Sequence, residues 1–233
     1  MMMKSLLTLL ASVSVLVAAA QVARDLSAFD ALAVNEGIHA EVRQADAHRL
    51  EVTGDAEALR ALEIENEDGA LSLGFEEGAA RRLSDRQRSS VRATVYTQAL
   101  KRVVANGGAV VESEHTWATD DFRVVANGGG DVRLALRARE DVRVVANGGA
   151  DVLLTGEARG LNLVVNGGAE VDATGLDCGE VEVVANGGGE AGVRAARRLK
   201  VRANGGAEVK YVGDVPADGV DVRSNGQSEV TRG

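Results

Sequence analysis

The tripeptide Asn-Gly-Gly recurs at a nearly fixed spacing along the second half of this chain. Six copies begin at Asn106, Asn127, Asn147, Asn166, Asn186 and Asn204, and a seventh, altered copy begins at Asn225. Successive asparagines are separated by 18 to 21 residues. A period of about 20 residues is typical of solenoids, in which each repeat packs mainly on its two neighbours. The spacing therefore constrains the shape of the molecule far more than its activity.

Small and apolar residues alternate on both sides of each asparagine. With the asparagine as position zero, they occupy positions −5, −3 and −1 and again +3, +5 and +7. Examples are Phe122, Val124 and Ala126 before one asparagine, and Ala150, Val152 and Leu154 after the next. Two-residue alternation predicts a strand on each side of the corner, with these residues facing a core. A longer return segment then leads into the next repeat.

These patterns predict an all-β fold, a parallel β-helix (β-solenoid) with about 20 residues per coil. Residues 101–233 form the regular coils, and residues 21–100, where the alternation is less regular, add further coils. Aromatic residues make up only 3% of the chain, so Val, Ala and Leu must fill a narrow interior. We expect residues 81–90, which are polar and contain four arginines, to form an exposed loop.

The Asn-Gly-Gly motif has a structural explanation. A turn between two strands within about three residues needs positive φ angles, which Asn tolerates and Gly adopts without steric cost. Stacked coils lie about 4.8 Å apart, so the side-chain amides of successive coils can bond to one another. We therefore predict a corner with a hydrogen-bonded ladder of Asn106, Asn127, Asn147, Asn166, Asn186, Asn204 and Asn225, and not a phosphate-binding loop.

The N-terminus has the pattern of a secretory signal. Lys4 precedes a largely apolar stretch at residues 6–17, and three alanines at 18–20 provide a cleavage site before Gln21. The alternative is a membrane anchor, for which the apolar stretch is short. We predict a signal peptide at residues 1–20 and a single β-helix domain at residues 21–233. The mature chain is then periplasmic, extracellular or at the cell surface of a bacterium, without stable membrane insertion.

Charge and cysteine content limit the partners. The formal charge of −9 is a poor match for nucleic acid, which we exclude as a partner. Cys178 is the sole cysteine, so the chain forms no internal disulfide. His39, His48 and His115 lack the spacing of metal ligands.

Position +4 carries a carboxylate in six successive repeats: Asp131, Asp151, Glu170, Glu190, Glu208 and Glu229. Like charges this close repel each other unless cations or arginines intervene. One hypothesis is a weak calcium site along Asp131, Asp151, Glu170, Glu190 and Glu208, because calcium prefers oxygen ligands. The alternative is a solvated edge that keeps the coils soluble, with no cofactor.

Position −2 carries an outward valine in five repeats: Val104, Val125, Val145, Val164 and Val184. An exposed apolar strip of this kind can be a binding face. It can equally be covered by a loop, or simply favour the β conformation. Trp117, in a return segment, is the one large aromatic residue that can stack on a sugar, although packing beneath a loop is the commoner role.

Several segments resemble the secreted bacterial family described as putative auto-transporter adhesin, head GIN domain. They are the opening at residues 22–34, residues 50–55 (Leu-Glu-Val-Thr-Gly-Asp), residues 68–73 (Asp-Gly-Ala-Leu-Ser-Leu), and the Gly-Gly-x-Asp-Val units at 128–132 and 148–152. The resemblance covers about residues 22–230. It implies a right-handed β-helix related in shape to pectate lyases, with adhesion as the suggested role and without an established catalytic set.

The function predicted from the sequence is a non-enzymatic binding module, for cell-surface adhesion or for binding a glycan or a surface protein. Solenoids suit this role because they present long, rigid faces. We identify no catalytic residues: the return segments are short, and none carries the converging acids that a cleft enzyme needs. The alternatives are a polysaccharide lyase or hydrolase on a β-helix, and a structural or envelope-stress protein.

Overall fold

The structure, a computed structural model, describes residues 20–233, with side chains from Val22 onward. The predicted signal peptide lies outside the described residues, apart from the backbone of Ala20. The first part of the chain contains seven strands and three short helices. In chain order they are β1 (Ala20–Asp25), β2 (Ala31–Asn35), β3 (His39–Gln44), β4 (Arg49–Gly54), α1 (Ala56–Arg60), β5 (Leu62–Glu67), β6 (Ala70–Phe75), α2 (Ala79–Arg82), α3 (Asp85–Arg88) and β7 (Arg92–Thr97).

The repeat part consists of strands that are joined at the Asn-Gly corners. The elements are β8 (Arg102–Asn106), β9 (Val110–Thr119), β10 (Phe122–Asn127), β11 (Asp131–Gly148), β12 (Asp151–Gly167), β13 (Glu170–Gly187), β14 (Glu190–Gly205), β15 (Glu208–Val212), a 3-10 turn (Ala217–Gly219), β16 (Val220–Gly226) and β17 (Glu229–Arg232). Strands β11 to β14 are 16 to 18 residues long, so extended chain runs around almost the whole coil and includes the predicted return segments.

The strands form one sheet that winds into a β-solenoid of about 20 residues per turn, which confirms the predicted fold class. In the repeat part every pairing is parallel, and the strands that lead into the corner are in register, so that asparagine lies opposite asparagine from Asn106 to Asn225. The register shifts elsewhere in the coil, for example between Ala138 and Asp141. In the coils from Asn127 to Asn204, the residues at −5, −3 and −1 and at +3 and +5 are buried, among them Val124, Val152 and Val183. The core is a stack of small layers of Val, Ala and Leu, which is what a chain poor in aromatic residues can fill.

The first part of the chain is not a simple continuation of the coils. Strand β2 lies between β6 and β8, and β3 lies between β7 and β9, all in parallel. However, β4 runs antiparallel to β1 and β7, and β5 runs antiparallel to β6. Asp68 and Gly69 explain the β5–β6 hairpin, because both have positive φ (50° and 77°), as a two-residue type I′ turn requires.

The sequence predicted an exposed loop at residues 81–90, but the structure shows helices there. These residues contain the end of α2 and all of α3, and Leu83 between them is buried in the core. Ser84 and Gln87 form a reciprocal capping box at the start of α3, and Asp55 caps α1. With the buried Ala58 and Ala79, these helices pack on the apolar interior of the first part of the chain.

The asparagine side chains form one continuous chain of hydrogen bonds along the solenoid. Each Nδ2 donates to the Oδ1 of the neighbouring coil at 2.7–3.1 Å, from Asn225 back to Asn106. Asn35 extends the ladder by one coil: it accepts from Asn106 at 2.8 Å and donates to the carbonyl oxygen of Leu73 at 3.0 Å. All the amides therefore point the same way.

The corner differs from expectation in one respect. Glu36 and Asp68 are the only described non-glycine residues with positive φ, so no asparagine of the motif adopts it. The first glycine after each asparagine does, for example Gly148 at 76° and Gly187 at 73°. Glycine therefore supplies the backbone turn, and asparagine contributes through its side chain.

Breaking the ladder in its middle should destabilise the fold. Asn166→Ala leaves the Oδ1 of Asn147 and the Nδ2 of Asn186 without their partners, both of them half-buried. We expect the free energy of unfolding in urea to fall by about 1–3 kcal/mol. The control is Asn162→Ala, which removes an exposed asparagine of the same strand that lies outside the ladder. An equal loss in both variants would contradict a specific role for the ladder.

Candidate functional site

Six carboxylates stand in one row on the face that follows the corner; we call this the acidic row. Asp131, Asp151, Glu170, Glu190, Glu208 and Glu229 lie directly opposite one another in successive parallel strands. Neighbouring strands are about 4.8 Å apart, so these side chains start within reach of one another. Val110 and His39 continue the row toward the N-terminal end.

Positive charge compensates only the N-terminal end of this row. Arg133 contacts Asp131 at 2.6 Å. In the described part of the chain, Glu170, Glu190, Glu208 and Glu229 form no ion pair. Beside them lies a groove of about 610 Å³, lined also by Asp172, Arg194 and Lys210, and deepened where Gly192 has no side chain. This groove has more acidic than basic groups.

The pKa of the Asp131 carboxyl is raised above its ordinary value. Partial burial is the main cause, because it disfavours the charged form. Arg133 opposes the shift, whereas the charges of Asp151 and Glu112 add to it. Burial and its acidic neighbours therefore disfavour the charged form of Asp131, the most buried member of the acidic row.

The acidic row does not form a ligand cage. Within residues 20–233, no three His, Cys, Asp or Glu side chains converge in a way that could hold a metal ion. Calcium binding by Asp131, Asp151, Glu170, Glu190 and Glu208 stays a prediction, and it would require these side chains to reorient around the ion.

The five outward valines form a continuous strip on the face that precedes the corner; we call this the valine strip. Val104, Val125, Val145, Val164 and Val184 lie opposite one another in register, and each is partly exposed. Arg102, Arg123 and Arg143 form a parallel exposed row beside three of them, and the asparagine ladder borders the other side. The strip ends where Arg202 lies opposite Val184.

A polar cluster lies at the N-terminal end of the acidic face. The Nε2 of His39 is 2.6 Å from the Oε1 of Glu112, and Arg43 donates two hydrogen bonds to Glu41 at 2.7 and 2.9 Å. Glu41 and Glu112 border a groove of about 340 Å³, together with Glu114 and Arg133. No local sequence signal indicates this cluster, because His39 and Glu112 are 73 residues apart and His39 lies outside the regular repeats.

This cluster has the residue types of a general acid–base site, but Glu41 is poorly suited to act as the base. A general base works best with a pKa near the operating pH. The hydrogen bond from Arg43 lowers the pKa of Glu41, which weakens it as a base. Of the other carboxylates that line the groove, Glu112 is engaged by His39, and Glu114 is exposed to solvent.

The side chains of Trp117 and Cys178 are both buried. Trp117 is only 1% exposed, and its Nε1 donates to the Oγ of Ser113 at 3.0 Å, so its ring is not available to a sugar. Cys178 is 4% exposed, and burial raises its pKa to about 12. Its thiol is therefore protonated and shielded at neutral pH.

A family model described as "Putative auto-transporter adhesin, head GIN domain" matches residues 28–215. The chain belongs to this family. The match spans the first part of the chain and most of the repeats, including the valine strip and five of the six carboxylates of the acidic row. It confirms the resemblance noted in the sequence.

Solved structures with low sequence identity share the fold. A putative adhesin from Bacteroides fragilis is 19% identical, with a TM-score of 0.76, over 91% of this chain and 97% of the other. A putative adhesin from Parabacteroides merdae is 17% identical, with a TM-score of 0.67, over 91% and 95%. A protein from Parabacteroides distasonis, described as a putative lipid binding protein, is 18% identical, with a TM-score of 0.72, over 91% and 96%.

No curated protein matches the sequence at a significant level. In the part of the chain that the structure describes, no helix is long and apolar enough to cross a membrane.

Repulsion within the acidic row predicts a stabilising substitution. Glu190→Gln removes one charge from between Glu170 and Glu208, so the free energy of unfolding should rise by roughly 0.2–0.5 kcal/mol, with the gain shrinking in 1 M salt. In the control Glu182→Gln, a carboxylate that contacts Lys200 at 2.7 Å is lost, and no gain is expected. If Glu190→Gln is no more stable than the parent protein, solvent alone already screens the repulsion between the carboxylates of the row.

The buried thiol predicts the reactivity of Cys178. At pH 8 the native protein should not react with Ellman's reagent, whereas the urea-unfolded chain should release one equivalent, because a thiol with a pKa of about 12 carries almost no thiolate. Leu153→Cys places a thiol at a position that is 40% exposed and should react at once. Rapid labelling of native Cys178 would show that this part of the solenoid opens.

Proposed function

We propose that this chain is an exported, non-enzymatic binding module that adheres to a glycan or a surface protein through the valine strip. The observation that carries the proposal is the register: five partly exposed valines stack without interruption on a rigid sheet. Contiguous apolar surface on a soluble protein marks an interaction site. Membership of an adhesin family supports the general role, and the secretory signal predicted at residues 1–20 supports export to the periplasm or the cell surface.

The surroundings of the strip favour a ligand that is long and amphipathic. The exposed row of Arg102, Arg123 and Arg143 supplies hydrogen-bond donors on one side of the valines, and the half-buried asparagine amides lie on the other. Repeating donors beside an apolar strip suit a polymer with a regular repeat of polar groups and apolar ring or backbone faces. A rigid solenoid can hold many such weak contacts at once, and their sum gives avidity.

The alternative is an enzyme that acts on a polysaccharide. The observation in its favour is the convergence of Glu41, Glu112 and Arg133 at one groove. The lowered pKa of Glu41 and the contact of Glu112 with His39 weigh against it. We therefore propose binding, and not catalysis, as the function of this chain.

The experiment is an array of pectins, other polysaccharides and bacterial surface proteins probed with the purified chain, with reducing ends and unsaturated products measured in parallel. We expect binding without cleavage. Val145→Asp in the middle of the strip should weaken that binding about tenfold or more, because a carboxylate must then be desolvated in an apolar contact. The control is Leu153→Asp, at a more exposed position on the other face.

Three outcomes would contradict the proposal. Release of new reducing ends that Glu112→Gln abolishes would establish the enzyme. Equal loss of binding in both aspartate variants would remove the valine strip as the binding face. Binding to vesicles of anionic lipid but to no glycan or protein would favour an acyl chain as the ligand, the class suggested by the description of the Parabacteroides distasonis relative.

A further inference from the structure

Three arginines beside the valine strip carry positive charge that the chain itself leaves largely unpaired; we call them the arginine row. Arg102, Arg123 and Arg143 lie opposite one another in successive parallel strands, and all three side chains are exposed. Within the described residues, Arg102 and Arg123 form no ion pair. Arg143 approaches Asp121 and Asp141 only at 3.5 and 3.6 Å. The arginine row is therefore free to pair with negative charge on a partner.

The other end of the valine strip is also basic. Arg202 and Arg223 follow Val184 in the column of the strip. In the neighbouring column, which begins with the arginine row, Glu182 is the carboxylate beside the strip, and Lys200 contacts it at 2.7 Å. The acidic row lies on the other side of the corner. A chain with a formal charge of −9 thus carries an apolar strip that is bordered by positive charge.

The spacing of these groups defines the repeat of a matching ligand. Each of the three coils from Val104 to Val145 presents one arginine and one valine, two residues apart on the same outward side of the strand. Successive coils are about 4.8 Å apart, which is close to the length of one pyranose unit in a polysaccharide. A ligand that runs along the rod axis therefore meets one guanidinium and one apolar side chain per unit.

A polymer of uronic acids has this repeat. Each sugar unit carries one carboxylate, which a guanidinium can bind through two parallel hydrogen bonds, and its C–H groups form an apolar ring face. An acyl chain with an anionic head group has charge at one end only, so it cannot engage three arginines in a row. Heavily sulfated polysaccharides carry more anions per unit than the arginine row has guanidinium groups.

We propose that the ligand of the valine strip is a polysaccharide of uronic acids, with its ring faces on the valines and its carboxylates on the arginine row. This inference rests on the proposed function, because it takes the valine strip as the binding face and names what binds there. Each exposed ion pair contributes little by itself, and the affinity comes from repeating the contact over several coils. The ligand is therefore a polymer and not a single sugar.

Two forms of one polymer test the role of charge. Polygalacturonate and its fully methyl-esterified form share a backbone, but only the first is anionic. In titration calorimetry with EDTA present, so that no calcium bridges the polymer to the acidic row, polygalacturonate should bind about tenfold or more tightly than the ester. Added salt should weaken only the binding of polygalacturonate. Equal affinity for both polymers, or tighter binding of dextran sulfate, would overturn the inference and leave the valine strip as a binding face.

Substitutions on the two columns separate this inference from the proposed function. Arg123→Gln should weaken the binding of polygalacturonate about fivefold or more and leave that of the ester unchanged. The control Arg81→Gln removes the same charge from an exposed site on α2 and should change neither. Val145→Asp should weaken the binding of both polymers, because it acts on the apolar contact.

The outcomes of these substitutions are distinct. Loss of binding in Val145→Asp but not in Arg123→Gln would overturn the uronic acid ligand and leave the proposed function standing. Binding of polygalacturonate that neither substitution weakens would overturn both. If the parent chain binds neither polymer, the uronic acid ligand is wrong, whereas the array of glycans and surface proteins still decides whether the valine strip binds another partner.

Discussion

The parallel register between coils is the constraint on which the rest of this structure depends. Backbone hydrogen bonds hold neighbouring coils together, but they are periodic along the strand and would tolerate a slip. Moving a strand by one residue would turn its core residues outward. The asparagine ladder and the glycine with positive φ at each corner occur once per coil, so they anchor one register. The acidic row and the valine strip exist because that register is kept.

The repeat part could be predicted from the sequence because each coil pairs with the coils directly before and after it. Each residue pairs with the residue about 20 positions away, so aligning the asparagines also aligns the strands. The first part follows a different rule. Strand β2 packs between β6 and β8, about 40 and 70 residues distant, and no periodic pattern encodes such a choice. Two local signals were nevertheless present: Asp68-Gly69 for a hairpin, and Ser84 followed by Gln87 for a helix start.

The candidate surfaces likewise include features that the sequence predicts and features that it does not. The acidic row and the valine strip follow from repeat positions, so their order along the rod could be read from the sequence. The partial burial of Asp131 and its contact with Arg133 could not, because they depend on side-chain packing in three dimensions. Asn35 was missed as a ladder member because Glu36 follows it in place of glycine. Because Glu36 stands where the other coils have glycine, it adopts a φ of 60°, which is rare for non-glycine residues.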